Sequence, residues 1–372
     1  MKLGSQFKPR LATTPIGSVP HVDPVEAVDA FLRLFPEVPA WPQLPVRDPA
    51  ENMIVQYGKR MPGARWDGEQ LVFSKDKAFY EGLERVFEAQ AAVDAGDVEV
   101  LEDFSLDESA AAGFYEFMSR KGRLGPKVRM VKGHVTGPIS FGLSAVGEDK
   151  RPIFYDDELA LMVTTYLSLA ARWQAQRLRE LHPRVCVFID EPMMSVFGSA
   201  YYSGLDEKVV SVAINDMVGA LRSQEAFSGV HAGCAGTTDW GILLRTDIDV
   251  LNFDAYEHFD TFTLYPQDLK AFLADGGILA WGLAPNDERI DQEDAASLAR
   301  RFEEYLGRMQ ESGLDRAVLL EQSMITPACG VGGRPRDVAD KILQATAEVA
   351  SELRSKLLGG RTGGEPQSRE RD

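Results

Sequence analysis

The stretch 185–192, VCVFIDEP, decides how the chain is read. Val185, Cys186, Val187, Phe188 and Ile189 form an apolar run of strand length with no polar alternation, as expected of a strand buried on both faces. It ends on two carboxylates, Asp190 and Glu191, followed by Pro192. Strands buried on both faces belong to parallel α/β sheets, and such sheets carry their chemistry at the strand C-termini. The same pattern repeats outward in both directions. Runs at 128–133 (VRMVKG), 250–254 (VLNFD), 278–282 (ILAWG) and 317–321 (AVLLE) read as buried strands, with shorter candidates near Ile16, near Ile54 and at 229–231. The total is about eight, the number a closed barrel requires.

Apolar residues at three- and four-residue spacing over 159–181, 209–221 and 291–312 predict helices between these strands. The stretch 75–121 is too long for a simple crossover and reads as helical insertions, and 336–358 reads as a closing amphipathic helix. The expected fold class is therefore α/β: a single (β/α)8 TIM barrel with helical insertions. It spans 13–357, after an N-terminal arm over 1–12 and before a tail over 358–372. The composition of that tail, rich in Gly and charge, is that of a disordered segment.

A chain of 372 residues fits one such barrel with insertions, which reaches roughly 400 residues. Its 57 acidic residues against 40 basic ones give a net charge of −17, which argues against a nucleic-acid partner and in favour of a surface kept soluble by charge. The opening MKLGSQFKPRLATT has no apolar core of an export signal. No apolar run approaches the roughly 20 residues of a membrane-spanning helix. Three cysteines, Cys186, Cys234 and Cys329, make no disulfide framework, and a reducing, cytoplasmic compartment is expected.

Polar and special residues cluster just after the apolar runs: GS at 17–18, TGP at 136–138, DEP at 190–192, HAGC at 231–234, DAYE at 254–257 and PACG at 327–330. Capping and turn geometry explain any one of them. Together they place a histidine, two cysteines and several carboxylates on one face. Zinc takes nitrogen, sulfur and carboxylate oxygen, usually four ligands in a tetrahedron. His231, Cys234, Asp254 and Cys329 offer that set, although ligands so remote in sequence leave the packing reading open as well. Cys186, inside its apolar run, reads as a small hydrophobe. His21, His134 and His258 are acid–base candidates, each better explained as a solvated or hydrogen-bonded structural imidazole. Trp41, Trp240 and Trp281 serve either as an apolar wall for a donor or as core. Glu191 either orients Asp190 or pairs with a cation, and Tyr256 and Glu257 either line the pocket or cap a helix.

Six segments in order resemble the catalytic barrel of cobalamin-independent methionine synthases, within the superfamily that also holds uroporphyrinogen decarboxylase. They are ATTPIGSVPH (12–21), KGHVTGPIS (132–140), FIDEP (188–192), HAGC (231–234), VLNFDA (250–255) and TPACG (326–330). The resemblance covers about 13–333. It implies a zinc-dependent methyltransferase, with zinc held by His231, Cys234, Asp254 and Cys329. The 16–18 turn (Ile16, Gly17 and the Ser18 side chain) would hold the acceptor's carboxylate, and the catalytic Asp190 would hold its ammonium. Four positions depart from the family pattern. Two residues, not one, separate His231 from Cys234; Asp254 stands for Glu; IVQY at 54–57 puts a neutral Gln56 in place of a carboxylate; and Leu283 stands for a proton-donating His.

Methyl transfer to sulfur needs a thiolate, and a free thiol of pKa about 8.5 is only slightly ionised at neutral pH, whereas one bound to zinc is deprotonated. The expected reaction makes methionine from homocysteine. The family's folate-holding N-terminal barrel has no counterpart in the sequence, so the expected donor is a methylcorrinoid, free methylcobalamin or a corrinoid protein. Coenzyme M is the alternative acceptor. A metal-free decarboxylase-like enzyme and a non-catalytic binding barrel are the alternatives of other classes; the HAGC and PACG segments speak against the first, and the second is favoured only if the shifted Cys234 cannot reach the ion.

Overall fold

The computed structural model describes residues 2–196, 206–232 and 238–359. Its strands are β1 (Ala12–Thr13), β2 (Ala64–Trp66), β3 (Leu71–Phe73), β4 (Val131–Thr136), β5 (Val146–Gly147), β6 (Val185–Glu191), β7 (Phe227–Ala232), β8 (Val250–Phe253), β9 (Ile278–Ala284) and β10 (Ser323–Pro327). Among the described residues, seven of them form one curled sheet in the order β1-β10-β9-β8-β7-β6-β4, parallel at every junction. β2, β3 and β5 make a small separate sheet.

Helices cover the outer face, including Asp157–Arg179, Glu207–Ser223, Ala295–Glu311 and Arg336–Leu357. Part of the acidic surplus caps them. Asp76, Asp156, Asp206, Asp294 and Asp315 each accept hydrogen bonds from first-turn N–H groups, which otherwise lack partners. No helix among the described residues is long and apolar enough to cross a membrane.

Inside the curl a second apolar cluster sits apart from the large one under the helices. Met130, Cys186, Val250, Ile278 and Met324 lie at the strand N-termini and pack against Leu3 and Phe7 of the N-terminal arm. The arm is fixed there by Leu3 N–H donating to Asp249 Oδ1 at 2.9 Å and by Gly4 N–H donating to the Gly276 carbonyl at 2.9 Å. Side chains on a strand alternate with period two. Going up from this plug, the inward row therefore becomes Lys132 and Phe188, then Asp190, His231 and Asn252. The interior runs from apolar at one end to polar at the other.

The edges of β1 and β4 are joined without a regular strand. The extended segment 37–43 bridges Ser18 to Gln43 and Ala40 to Lys132, with Gln43 N–H donating to the Gly17 carbonyl at 3.1 Å and Lys132 N–H to the Pro39 carbonyl at 2.9 Å. Above Lys132 the role of the missing strand falls to one side chain. Gln174 accepts from His134 N–H at 2.9 Å and donates to the His134 carbonyl at 2.9 Å, and its Oε1 also takes the Trp41 indole N–H at 3.0 Å. Gly133 makes room for it: a Cβ there would lie 2.0 Å from Gln174 Oε1.

Four strand expectations are corrected. Among the described residues the regular ladder has seven strands rather than eight. The run 317–321 lies in a helix, Arg316–Glu321, whose first turn is capped by Asp315, and the strand follows at β10. A five-residue apolar run does not distinguish strand from helix, and here the cap decides. Ile54 lies in the helix Met53–Gly58, capped by Asn52, and β1 ends before Ile16. The expected helices at 159–181, 209–221, 291–312 and 336–358 are present, and 75–121 carries Lys77–Asp94 and Ala112–Met118. The tail expectation for 360–372 lies outside the described residues.

Replacing Gln174 by Leu keeps the volume but leaves the His134 backbone and the Trp41 indole buried without partners. At about 1–3 kcal/mol for a buried polar group left unpaired, chemical denaturation should report a loss of at least about 2 kcal/mol. Unchanged stability would show that the seam does not depend on this amide.

Candidate functional site

The strand C-termini bring two remote residues together. His231, on β7, and Cys329, just after β10, meet with Nε2 and Sγ 3.5 Å apart. A tetrahedral zinc with bonds of about 2.1 Å to nitrogen and about 2.3 Å to sulfur sets such atoms about 3.6 Å apart, so the pair has the spacing of two ligands on one ion. His231 is buried and Cys329 half-buried. Burial alone would lower the His231 imidazole, but Cys329, Asp190 and Asn252 around it outweigh that and raise it to about 9.

Asn252, on β8, fixes which nitrogen of His231 faces the sulfur. Its amide nitrogen donates to the Ala280 carbonyl at 2.9 Å and to Thr326 Oγ1 at 2.8 Å, which leaves its oxygen to accept from His231 Nδ1. Nδ1 therefore carries a proton, and Nε2 is the nitrogen turned to Cys329, the one that would bind a metal once its own proton is displaced. Cys234 lies outside the described residues.

Asp254 is brought to the same rim but into a different group. It caps the helix Ala255–Phe262 by accepting from Glu257 N–H at 3.0 Å. Among the described residues, the ligand atoms of Asp254, Glu257 and His258 gather within 4.8 Å of one another, while Asp254 forms no such trio with His231 and Cys329. Burial raises the Asp254 carboxyl to about 6. Glu257 also pairs with Arg289, and the Tyr256 hydroxyl donates to Glu293 at 2.8 Å.

On the β4–β6 side, Asp190 lies in register between Thr136 and His231. Its Oδ1 has no hydrogen-bond partner among the described residues. Burial lifts this carboxyl to about 6 against the pull of His231 and Lys132. Glu191 points the other way and is a structural clamp. It accepts from Ile139 N–H at 3.0 Å, Ser140 N–H at 2.7 Å and the Ser140 hydroxyl at 2.6 Å, docking the TGPIS turn onto β6. Gly137 is small for that reason: a Cβ there would lie 2.0 Å from Glu191 Oε1.

The 16–18 turn rests on the loop after β10. Ser18 O accepts from Val331 N–H at 2.9 Å, and Ser18 Oγ accepts from Gly332 N–H at 3.3 Å. Gln56 sits behind this turn with both ends of its amide engaged, accepting from Gln43 at 2.9 Å and donating to the Ala110 carbonyl at 2.5 Å. Lys132 is buried beneath the turn and donates to the Ile16 carbonyl at 2.6 Å; burial pushes its ammonium down to about 8. His134 is buried and stacked on Trp41 with ring centres 3.7 Å apart. Burial, with Lys132 nearby, holds it well below its ordinary range and so neutral. The remaining candidates are structural. His21 is buried beside Glu26, Arg336 and Asp340, Trp240 and Trp281 pack in the core outside the sheet, and Leu283 is buried.

Sequence reasoning passed over Asn252, Lys132 and Gln174. The signal for the first was present, since Asn252 is the lone polar residue of the apolar run VLNF, and burying such a group demands a partner; for Lys132 it was weaker, because Arg129, His134 and Thr136 stand beside it. For Gln174 there was none, because its role comes from the gap beside β4.

No protein-family model matches the sequence, and no curated protein does. Solved structures match in fold. The structure of a B12-independent methionine synthase from Shewanella sp. W3-18-1 in complex with selenomethionine superposes with a TM-score of 0.56, covering 94% of this chain and 99% of that chain at 12% identity. A methyltransferase from Methanosarcina mazei gives a TM-score of 0.47 at 11% identity over 91% of this chain and 93% of its own. At these identities the likeness to the first is one of fold: a curled parallel α/β sheet wrapped by helices.

The Glu191 clamp gives a direct test. Gly137→Ala should destabilise by about 1–3 kcal/mol through overpacking against the carboxylate. Glu191→Ala should lose a similar amount by stranding the Ile139 and Ser140 donors. The double variant should lose less than the sum, because removing the carboxylate removes the clash. Additive losses in a denaturation cycle would refute the contact.

Proposed function

We propose that the chain is a zinc-dependent methyltransferase that passes a methyl group to the thiolate of a small acceptor, with homocysteine as the acceptor and a methylcorrinoid as the donor. The observation that carries this reading is the His231–Cys329 pair, at the spacing of two ligands on one zinc and with the His231 ring oriented by Asn252. Cys234, from the HAGC segment, would add a second thiolate, and Asp254 would complete the set by turning from its cap on Glu257 N–H toward the ion; both a thiolate and a carboxylate suit zinc. Zinc bound there would keep the acceptor sulfur as a thiolate at neutral pH.

The other roles fall to this chain's own side chains. Asp190, in register beside His231 and with one oxygen unpaired among the described residues, would hold the acceptor's ammonium. The 16–18 turn, pinned by Lys132 from below and by the loop after β10 from above, would take the carboxylate. Holding both ends of the acceptor fixes the direction from which its sulfur meets the methyl carbon, and such positioning supplies much of a transfer reaction's acceleration. A thiol with an anionic group and no ammonium, such as coenzyme M, is the second reading. Gln56 favours it, because its neutral amide is already bonded to Gln43 and Ala110 where the resembled family has a carboxylate.

Metal analysis of the purified protein should find about one zinc per chain, as a four-ligand site implies, and Cys329→Ser should lose it. Asn252→Ala should weaken zinc binding roughly 10–100-fold, the usual effect of removing a group that orients a ligand. Homocysteine-dependent demethylation of methylcobalamin should follow zinc content across these variants. A folded protein that binds no zinc, or zinc-loaded protein that transfers no methyl group to any thiol, would overturn the proposal.

A further inference from the structure

Lys132 is a fully buried cation in the middle of the barrel interior. Its ammonium donates to the Ile16 carbonyl at 2.6 Å and lies 4.5 Å from the centre of the Phe188 ring. An ammonium has three N–H donors, and taking it out of water is costly unless a negative charge meets it. Among the described residues no carboxylate lies within the 4.0 Å of an ion pair with it. Asp190 acts on it only from farther away, and helps keep it charged.

The polar groups just above Lys132 are also unmatched. Both ring nitrogens of His134, Thr136 Oγ1 and Asp190 Oδ1 are buried without a hydrogen-bond partner among the described residues. These residues lie on the same face of β4 and β6 as Lys132. Gly17 touches the His134 ring from the acceptor turn; a Cβ at Gly17 would lie 2.8 Å from His134 Nδ1. Buried polar atoms in native proteins are nearly always paired, so a cluster of unmatched ones marks a place for a polar ligand. Here the cation and the neutral imidazole lie toward the 16–18 turn, and the carboxylate lies toward His231.

We infer that Lys132 and His134, packed against the 16–18 turn, join it as the anion-binding half of a head-group pocket, opposite Asp190, that takes the carboxylate of a zwitterionic amino-acid acceptor. Lys132 supplies the charge and His134 a neutral N–H donor held in place by its stack on Trp41. Asp190 takes the ammonium, and the acceptor's side chain is left to run toward Cys329. The assignment rests on the acceptor reading above and narrows it, since a thiol without an ammonium would leave Asp190 unmatched.

Sulfur-free probes test the pocket apart from the metal and the methyl transfer, so the two readings fail separately. Titration calorimetry with norleucine, hexanoate and pentylamine presents a zwitterion, an anion and a cation on similar chains. Norleucine should bind most tightly, hexanoate next, and pentylamine at least tenfold more weakly than hexanoate. Lys132→Met should weaken both acids at least tenfold. His134→Phe, which keeps the stack and removes both nitrogens, should weaken them several-fold and serves if the lysine variant does not fold. Asp190→Asn should weaken norleucine and leave hexanoate unchanged. Equal binding of hexanoate by the wild type and the Lys132 or His134 variants, or no binding of any probe by the wild type, would overturn the inference.

Discussion

The register of the parallel sheet is the constraint on which the rest depends. Thr136, Asp190, His231 and Asn252 are cross-strand neighbours in successive pairs, so all four side chains leave the sheet on the same side. Side chains alternate with period two, and a slip of one residue at any junction would turn part of that row out under the helices. The large apolar cluster on the outer face prevents such a slip. Val131, Val135, Val187, Ile189, Val230 and Leu251 are packed there, and a slip would bring them inside and put the polar row in their place. The packing that stabilises the fold is thus also what aims the chemistry.

The interior tolerates that polar row because its two ends are treated differently. At the strand N-termini the arm closes the curl with Leu3 and Phe7 over an apolar layer. At the other end the polar groups around His231 are mutually supported. The Asn252 amide is held by Ala280 and Thr326 and in turn orients His231 toward Cys329. Lys132 lies between these regimes and ties β4 to the Ile16 carbonyl. Buried polar groups raise the stakes of a fold, since each costs stability if its partner is lost. Here they also fix the shape of the mouth.

Much of this was legible in the sequence. The both-face apolar runs at 185–189, 250–253 and 278–282 announced buried strands, and the long amphipathic stretches announced their covering helices. The placement of HAGC and PACG after strands foretold that His231 and Cys329 share a rim. Other elements were not legible, for identifiable reasons. AVLLE has a strand's composition, but Asp315 caps it as a helix and β10 begins two residues later. Asp254 carries a ligand's chemistry, yet its side chain caps the next helix and gathers with Glu257 and His258. Glu191 looked like a partner for Asp190 and instead clamps the turn at 139–140. Local sequence does not reveal which of two available partners a carboxylate takes.

The amino-acid sequence by itself determined the α/β class, the direction of the strands and the set of side chains delivered to their C-terminal ends, because periodicity and burial are local properties of a strand or a helix. Only the tertiary structure decided which of those side chains meet, because contacts between residues about a hundred positions apart depend on how the sheet curls and on how its edges are joined. The seam between β1 and β4 is the clearest case. No feature of Gln174 in its helix foretold that its amide would take the place of a strand, since that role arises from the unpaired backbone of His134 beside it.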